Sequence, residues 1–459
     1  MLEVDFESKL SKFVERSLSG VRLVSVQQLT SGASQQTFKV SVKDSEANEY
    51  HYALRRAQPG LSATSQGQVT PSTEAALLGL AADANIPVPT VAASLRPSDN
   101  LGEGYLMAWL EGETLGQRIV KIPELEKFRP TLAYQCGQAL ARIHAIDVPS
   151  AIKDSLSCVS PASLVHATWE TYIALNTPQP MIDFTAQWLL HNLPPDVDAR
   201  LVHGDFRNGN LMVSKAGLEA VLDWELCHMG DPTRDLGWLC VNSWRFGVRE
   251  LPVGGFGEID EVIAGYESVS WAPVDKAALQ FWEVFGSFWW SVTTLGMAET
   301  WRTGETPSLE RPVIGRRSTE AQMDCVHLLI PGAFSRAVPA TTDANLPSAT
   351  ELISSVRQHL KSSVLDNLTG PDHFFCRVAL NSLSIAEREL QLSPTLERDE
   401  HHRLTELLGD GDLAALRWHL VRALRQGEAL PQALVEEHLR ETVAGRLQID
   451  QPFYSALTP

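Results

Sequence analysis

Residues 201–213 read LVHGDFRNGNLMV, and a short way on residues 221–225 read VLDWE. Apolar β-type runs flank both pieces: Leu201 and Val202 before the first loop, Leu211 to Val213 after it, and Ala220 to Leu222 before Asp223. Asp205 follows a glycine on what reads as a tight loop, with Asn210 five residues later. A carboxylate in such a place can orient a hydroxyl nucleophile and accept its proton, which is what phosphoryl transfer to an alcohol requires. Asn210 and Asp223 are hard oxygen donors of the kind Mg²⁺ takes. A hairpin between the flanking runs brings all three to one edge. Either piece alone occurs by chance as a helix cap or a solvated turn; in this order and at this spacing a shared site is the better reading.

Working outward from that stretch, VRLVSVQQL, QTFKVSVK and EYHYALRR within residues 21–56 alternate like consecutive antiparallel strands. A helix is expected from Ser72 to Ala84, opened by Pro71, Ser72 and Thr73, and strands return at IPVPTVAASL and GYLMAWLEGE. Pro123 to Ala145 reads as helix, and Phe281 to Trp301 as a buried aromatic helix. Its Glu283, Ser287, Ser291, Thr293 and Thr294 interrupt the roughly 18 apolar residues that a membrane span needs. Strands first and helices later predict an α+β, two-lobe arrangement followed by an all-helical C-terminal domain. The expected divisions are a β-rich nucleotide lobe at 1–108, a mostly helical lobe at 109–330, a linker at 331–346 rich in Pro, Ala, Thr and Ser, and a helical domain at 347–459. In that last part Leu352, Val356, Leu360, Val364 and Leu368 fall at helical spacing, and Gly370 with Pro371 is expected to end that helix.

The pattern HGDxxxxN followed by D-x-E resembles the aminoglycoside phosphotransferase and choline kinase superfamily, over roughly residues 20–330, and the resemblance implies a protein-kinase-like fold using ATP and Mg²⁺. It implies Asp205 as catalytic base with His203 supporting the same catalytic loop, Asn210 and Asp223 as Mg²⁺ ligands, and Asp235 of GDPTRDLGW as a buried brace. Glu225 is either a second metal contact or a solvated strand-end acid. Protein kinases carry a Gly-rich loop and a strand Lys; here LTSGASQQTF has only Gly32, and YALRR has no Lys. Alternation puts Ala53 and Arg55 on one side of the strand and Arg56 on the other, so Arg55 is the expected phosphate contact, with Glu74 either its ion-pair partner or an exposed acid at a helix N-terminus. Main-chain amides of Ser31, Gly32, Ala33 and Ser34 are expected over the phosphates, and Ala108, Trp109 and Leu110 as the connector that binds adenine.

Within the superfamily, LRR, HGDFRNGN and VIGRRSTEAQ look most like the branch related to kinase domains fused to certain acyl-CoA dehydrogenases. That likeness implies a hydroxyacyl-CoA, best a 4-hydroxyacyl-CoA, as small-molecule substrate. GPDHFFCRVALNSLSIAEREL resembles a helical domain of undefined function that accompanies such kinases, expected to pack on the kinase part or to mediate dimerisation. Arg302, Arg311, Arg316 and Arg317 form a basic cluster in sequence, suited either to the phosphates of CoA or to internal salt bridges. Arg377, Asn381 and Arg388 share a helix face that docks onto the kinase, touches substrate or faces solvent. Three other readings stay open: a kinase for an aminoglycoside- or choline-like cation, a nucleotide-binding pseudokinase, and nucleotidyl transfer onto protein. The net charge of -18 over 459 residues argues against nucleic acid as partner and permits a cationic substrate. Six scattered cysteines without a CxxC pair, and an acidic N-terminus without an export signal, are expected of a cytoplasmic protein with reduced thiols.

Overall fold

The computed structural model describes residues 5–29, 35–57, 68–305, 308–339 and 347–457. The chain forms two compact units, one of Met1–Ser160 with Pro195–Trp282, the other of Pro161–Pro194 with Glu283–Pro459.

In the first unit five antiparallel strands, β1 (Val21–Gln28), β2 (Gln35–Asp44), β3 (Glu49–Ala57), β4 (Val91–Ser94) and β5 (Gly104–Ala108), run in the order β1-β2-β3-β5-β4. Alternation along β2 sends Phe38, Val40 and Val42 to one face, where they bury against Phe6, Leu10, Phe13 and Val14 of the helix Phe6–Ser17. Those helix residues recur at the three- and four-residue spacing of one apolar stripe. Arg56 lies on this face, its guanidinium 4.5 Å from the Phe6 ring centroid, whereas Arg55 points to the opposite face. That second face is met by the helix Pro71–Asp83, whose N-cap Thr70 side chain accepts from the Thr73 N–H with Pro71 in the first turn.

Leu77 and Leu78 of that helix belong to one apolar cluster with Leu140 and Ile143 of the helix Arg129–His144, and with Leu201, Phe206, Val221, Trp224 and Leu236. Two small ladders sit on this core. β6 (Arg200–Val202) pairs with β9 (His228–Gly230), and β7 (Leu211–Ser214) with β8 (Gly217–Val221). Loop 203–210 therefore leaves β6 and enters β7, while loop 222–227 leaves β8 and enters β9, which places the two loops side by side.

In the second unit the C-terminal helices do not form a core of their own. Val435, Leu439, Val443 and Leu447 of the helix Gln432–Asp450 bury with Met181 of the helix Pro180–His191 and with Met323, Val326 and Ile330. The division expected at 331–346 therefore falls inside a compact unit: Pro-rich composition marks an irregular segment, and the apolar faces on either side of it are covered by each other. Of that linker, residues 340–346 lie outside the described residues. Gly370–Pro371 opens a helix, Gly370–Leu408, rather than only closing one, because a proline's missing N–H and preset φ suit a first turn. Leu352 and Val356 of the helix Ala349–His359 are exposed, at 55% and 51%.

The aromatic helix Lys276–Arg302 buries Phe281, Phe285 and Phe288 together with Ser287 and Ser291. Among the described residues no helix is long and apolar enough to cross a membrane. All six cysteines are free thiols, five buried and Cys158 exposed.

Removing residues 347–459 would uncover Met323, Val326 and Ile330 and delete their partners. We expect the truncated chain to unfold at a clearly lower temperature than the full one in scanning calorimetry; an equal midpoint would contradict the shared core.

Candidate active site

Loop 203–210 is held by a buried charge. The Asp235 carboxylate, with no exposure, accepts the His203 N–H at 2.8 Å and the Gly204 N–H at 2.9 Å, one on each oxygen. His144 Nε2 donates to the same carboxylate at 3.1 Å, and its Nδ1 pairs with the Tyr266 hydroxyl at 2.9 Å. Burial alone pushes this carboxyl up, but the hydrogen bond and charge of His144, with His203 and Arg234 nearby, bring it down to about 2. Gly204 must be glycine: its φ is +84°, and a Cβ there would stand 2.2 Å from the Leu226 carbonyl oxygen.

The resemblance implies a supporting role for His203 in this loop. The ring is fully buried between Phe206 and Trp224, Nε2 donates to the Leu222 carbonyl at 3.1 Å, and Nδ1 accepts the Asp205 N–H at 3.2 Å. Burial holds its pKa below the ordinary 6.5, so it is neutral, with both nitrogens engaged. It is a strut between the two loops.

Asp205 itself is half-buried at the loop's apex. Its Oδ1 accepts from Trp238 Nε1 at 2.9 Å and Arg207 Nε at 3.0 Å, and its Oδ2 from Asn210 Nδ2 at 2.6 Å. Because Asn210 Nδ2 also donates to the Asp205 carbonyl at 3.0 Å, its two acceptors fix the amide's orientation and leave Oδ1 as the atom that can serve a ligand. The Asn210 main-chain carbonyl accepts the Leu222 N–H at 2.8 Å, so Asn210 and Asp223 sit at adjoining strand ends. Asp223 is in the left-handed region at φ +65°, where the chain turns out of β8.

Around Asp223 lies a cluster centred on Arg55. Its guanidinium bonds to Asp223, to Glu74 at 3.2 Å, to Glu225 at 3.1 Å and to Gln35 Oε1 at 2.8 Å. Burial works against the arginine's charge, but the three carboxylates outweigh it and its pKa is raised. Glu74, 1% exposed, also takes the Trp224 N–H on Oε1 at 3.2 Å, which ties the helix Pro71–Asp83 to the loop carrying Asp223. Glu225 is therefore not a solvated acid: besides Arg55 it accepts from Gln35 and Gln68.

The remaining expected residues are placed unevenly. Ser31, Gly32, Ala33 and Ser34 lie outside the described residues. At the connector, the Ala108 N–H is spent on the Thr90 carbonyl and the Trp109 N–H on the His51 carbonyl, so Leu110 is the first of the three beyond these bonds. Arg302, Arg316 and Arg317 belong to the second unit, where Arg302 and Arg316 line a cavity of about 600 Å³. Arg316 pairs with Glu389 at 2.6 Å and Asp450 at 3.1 Å, Arg317 with Glu320, and Arg302 with Glu299. The same cavity is lined by Arg417 and Arg446 and by Glu389, Glu397, Glu400 and Asp450, so its positive and negative side chains balance. Arg388 donates to the Ile449 carbonyl and caps the helix Gln432–Asp450. Sequence reasoning missed Arg207, Trp238, Gln35 and His144, each of which acts through contacts distant in sequence or too local to carry a spacing.

A family model described as Phosphotransferase enzyme family matches residues 25–272, and one described as Domain of unknown function (DUF6285) matches residues 356–454. Among curated proteins, acyl-CoA dehydrogenase family member 10 of Mus musculus is 32% identical over 204 residues, 42% of this chain and 19% of that protein. Acyl-CoA dehydrogenase family member 11 of Gallus gallus is 29% identical over 269 residues, 55% of this chain and 33% of that protein. The chain thus spans a third or less of the length of these relatives. A solved structure from Ralstonia eutropha, assigned provisionally to the aminoglycoside phosphotransferases, superimposes with a TM-score of 0.55 at 22% identity, over 70% of this chain and 97% of that one.

Asp235 generates a pH dependence. Its folded pKa near 2 lies below the ordinary 3.8, so it stabilises the fold above about pH 4, and that contribution is lost as pH falls toward 2. Urea unfolding at pH 7, 4 and 2.5 should show a shallower acid loss in Asp235→Asn than in the parent; identical slopes would contradict the assignment.

Proposed function

Because the chain belongs to the phosphotransferase enzyme family and has its kinase-like fold, we propose that it transfers the terminal phosphoryl group of ATP, bound with Mg²⁺, to a hydroxyl of a small molecule. The observation that carries the reading is the interlock of Asp205 with Asn210 beside Asp223. All three residues are intact, which argues against a pseudokinase.

The donor set fits magnesium. Asn210 Oδ1 and the Asp223 carboxylate are two hard oxygens, and among the described residues no group of three His, Cys, Asp or Glu could hold a metal unaided. One or two protein oxygens completed by substrate phosphates is the way Mg²⁺ is usually bound. When present, the ion supplies charge neutralisation at the phosphates.

The residues themselves do the rest. Asp205, aimed by Trp238 and Asn210, orients the acceptor hydroxyl and takes its proton. Arg55, fixed by Glu74, stands beside Asp223 where it can meet nucleotide phosphates. Asp235 and His203 keep the loop's main chain in place, so positioning rather than covalent chemistry does the work.

For the acceptor we propose a hydroxyacyl thioester of coenzyme A, supported by the likeness to proteins named for acyl-CoA dehydrogenases. The pairing of Arg316 and Arg317 with carboxylates weighs against those two as contacts for its phosphates. The net charge of -18 permits, as second reading, a cationic acceptor of the aminoglycoside or choline kind. The free thiols favour a reducing cytosol.

Asp205→Asn should lower turnover by about 10³-fold or more while ATP binding, followed by calorimetry, stays within a few-fold. An unchanged rate would remove Asp205 from its role. An ATP-consumption screen with 3- and 4-hydroxyacyl-CoA esters, free hydroxy acids, choline and aminoglycosides decides the acceptor; activity on choline or aminoglycosides alone would overturn the thioester.

A further inference from the structure

Beside Asp205, the guanidinium of Arg207 is built into the loop for more than one purpose. Only its Nε is spent, donating to the two Asp205 oxygens at 3.0 and 3.2 Å. The planar group lies over the Trp244 ring, 4.8 Å from its centroid, and its Nη1 lies close to Gly209. At φ +115°, a Cβ on residue 209 would stand 2.8 Å from Arg207 Nη1, so glycine there makes room for the fork. Among the described residues Nη1 and Nη2 have no hydrogen-bond partner, and the side chain is 27% exposed. A cation stacked on an indole ring, anchored by one nitrogen to the carboxylate that takes the acceptor's proton, with Nη1 and Nη2 unspent, is preorganised for an anion at the point of reaction.

We propose that Arg207 is a catalytic residue that grips the oxygens of the phosphoryl group in flight. The proposal rests on the phosphotransfer reading above. The acceptor oxygen bonds to phosphorus as the bond from phosphorus to the bridging oxygen breaks; that electron pair leaves with ADP, and the hydroxyl proton passes to Asp205. Arg207 Nη1 and Nη2 meet the non-bridging oxygens of the transferred group, where a fork of donors matches their geometry. Arg55, enclosed by Glu74, Asp223 and Glu225, serves the nucleotide from the other side.

The test separates this role from merely steering Asp205. With the full chain, Arg207→Gln and Arg207→Lys are compared with the parent for turnover and for binding of Mg·ADP and of Mg·ADP with aluminium fluoride, which mimics the transferring group without an acceptor. We expect Arg207→Gln to lose about 10²-fold in kcat, with KM for ATP within about three-fold. We expect it to bind the aluminium fluoride complex at least ten-fold more weakly, with Mg·ADP affinity unchanged and partial recovery in Arg207→Lys. Undiminished affinity for the fluoride complex, or equal weakening of both ligands, would overturn the proposal. Asp205→Asn run in parallel distinguishes the two failures: if it keeps turnover, the phosphotransfer reading itself falls, whereas an inactive Asp205→Asn beside a fully active Arg207→Gln removes Arg207 alone.

Discussion

The candidate site depends on one buried carboxylate that holds two consecutive main-chain N–H groups. Asp235 has no contact with solvent, and an isolated charge there would be costly by several kcal/mol. It is tolerated because the loop donates His203 and Gly204 N–H to it and His144 adds a third bond. The compensation works in both directions. Those two N–H groups lie in a loop with no ladder to join, and burying them unpaired would cost about 1–3 kcal/mol each. The same carboxylate therefore satisfies the loop and fixes its path, and Asp205 takes its position from that path.

The second loop is fixed by a different balance of charge. One guanidinium, Arg55, faces the three carboxylates of Glu74, Asp223 and Glu225. Taken formally, one positive charge against three negative ones leaves an excess of two negative charges. A site of this sign repels bare nucleotide phosphates, and a divalent cation arriving with them reverses that repulsion. The arrangement thus gives a physical reason for metal dependence in the proposed reaction. Glu225 belongs to the same balance: held by Gln35 and Gln68, it shares Arg55 Nη2 with Asp223.

The polar chemistry of the site was legible where function imposes a spacing. Asp205, Asn210, Asp223 and Asp235 lie within a single stretch of chain because one hairpin and one helix must present them together. Arg207 stood in that stretch unread, since nothing in its spacing says that Trp244 will stack on it and Gly209 leave room for its Nη1. Gln35 and His144 act on residues 20 to 190 positions away, and no local pattern encodes such partners. The arginines near 316 left two readings open for the same reason: nothing local says that Glu389 and Asp450 of the tail will pair with Arg316. At Ala108 and Trp109, side-chain identity was a poor guide because main-chain groups decide the question and the sheet had already used their N–H donors.

Domain structure was the hardest thing to read, and Asp183 shows why. It sits inside the segment matched to the phosphotransferase family, is fully buried, and accepts from Trp169 at 2.8 Å and Tyr172 at 3.1 Å. Its counter-ion is Arg425, at 2.7 Å, which lies inside the segment matched to the domain of unknown function. Two families that meet in one chain would ordinarily be taken as separable modules. A buried carboxylate whose arginine comes from the other match rules that out here, because removing one partner of such a pair costs about 3–5 kcal/mol and leaves the charge stranded. The apolar contact of Met181 with Val435 and Leu439 points the same way. The tail is therefore part of the fold of residues 161–194, and a change that loosens it acts first on the stability of that unit.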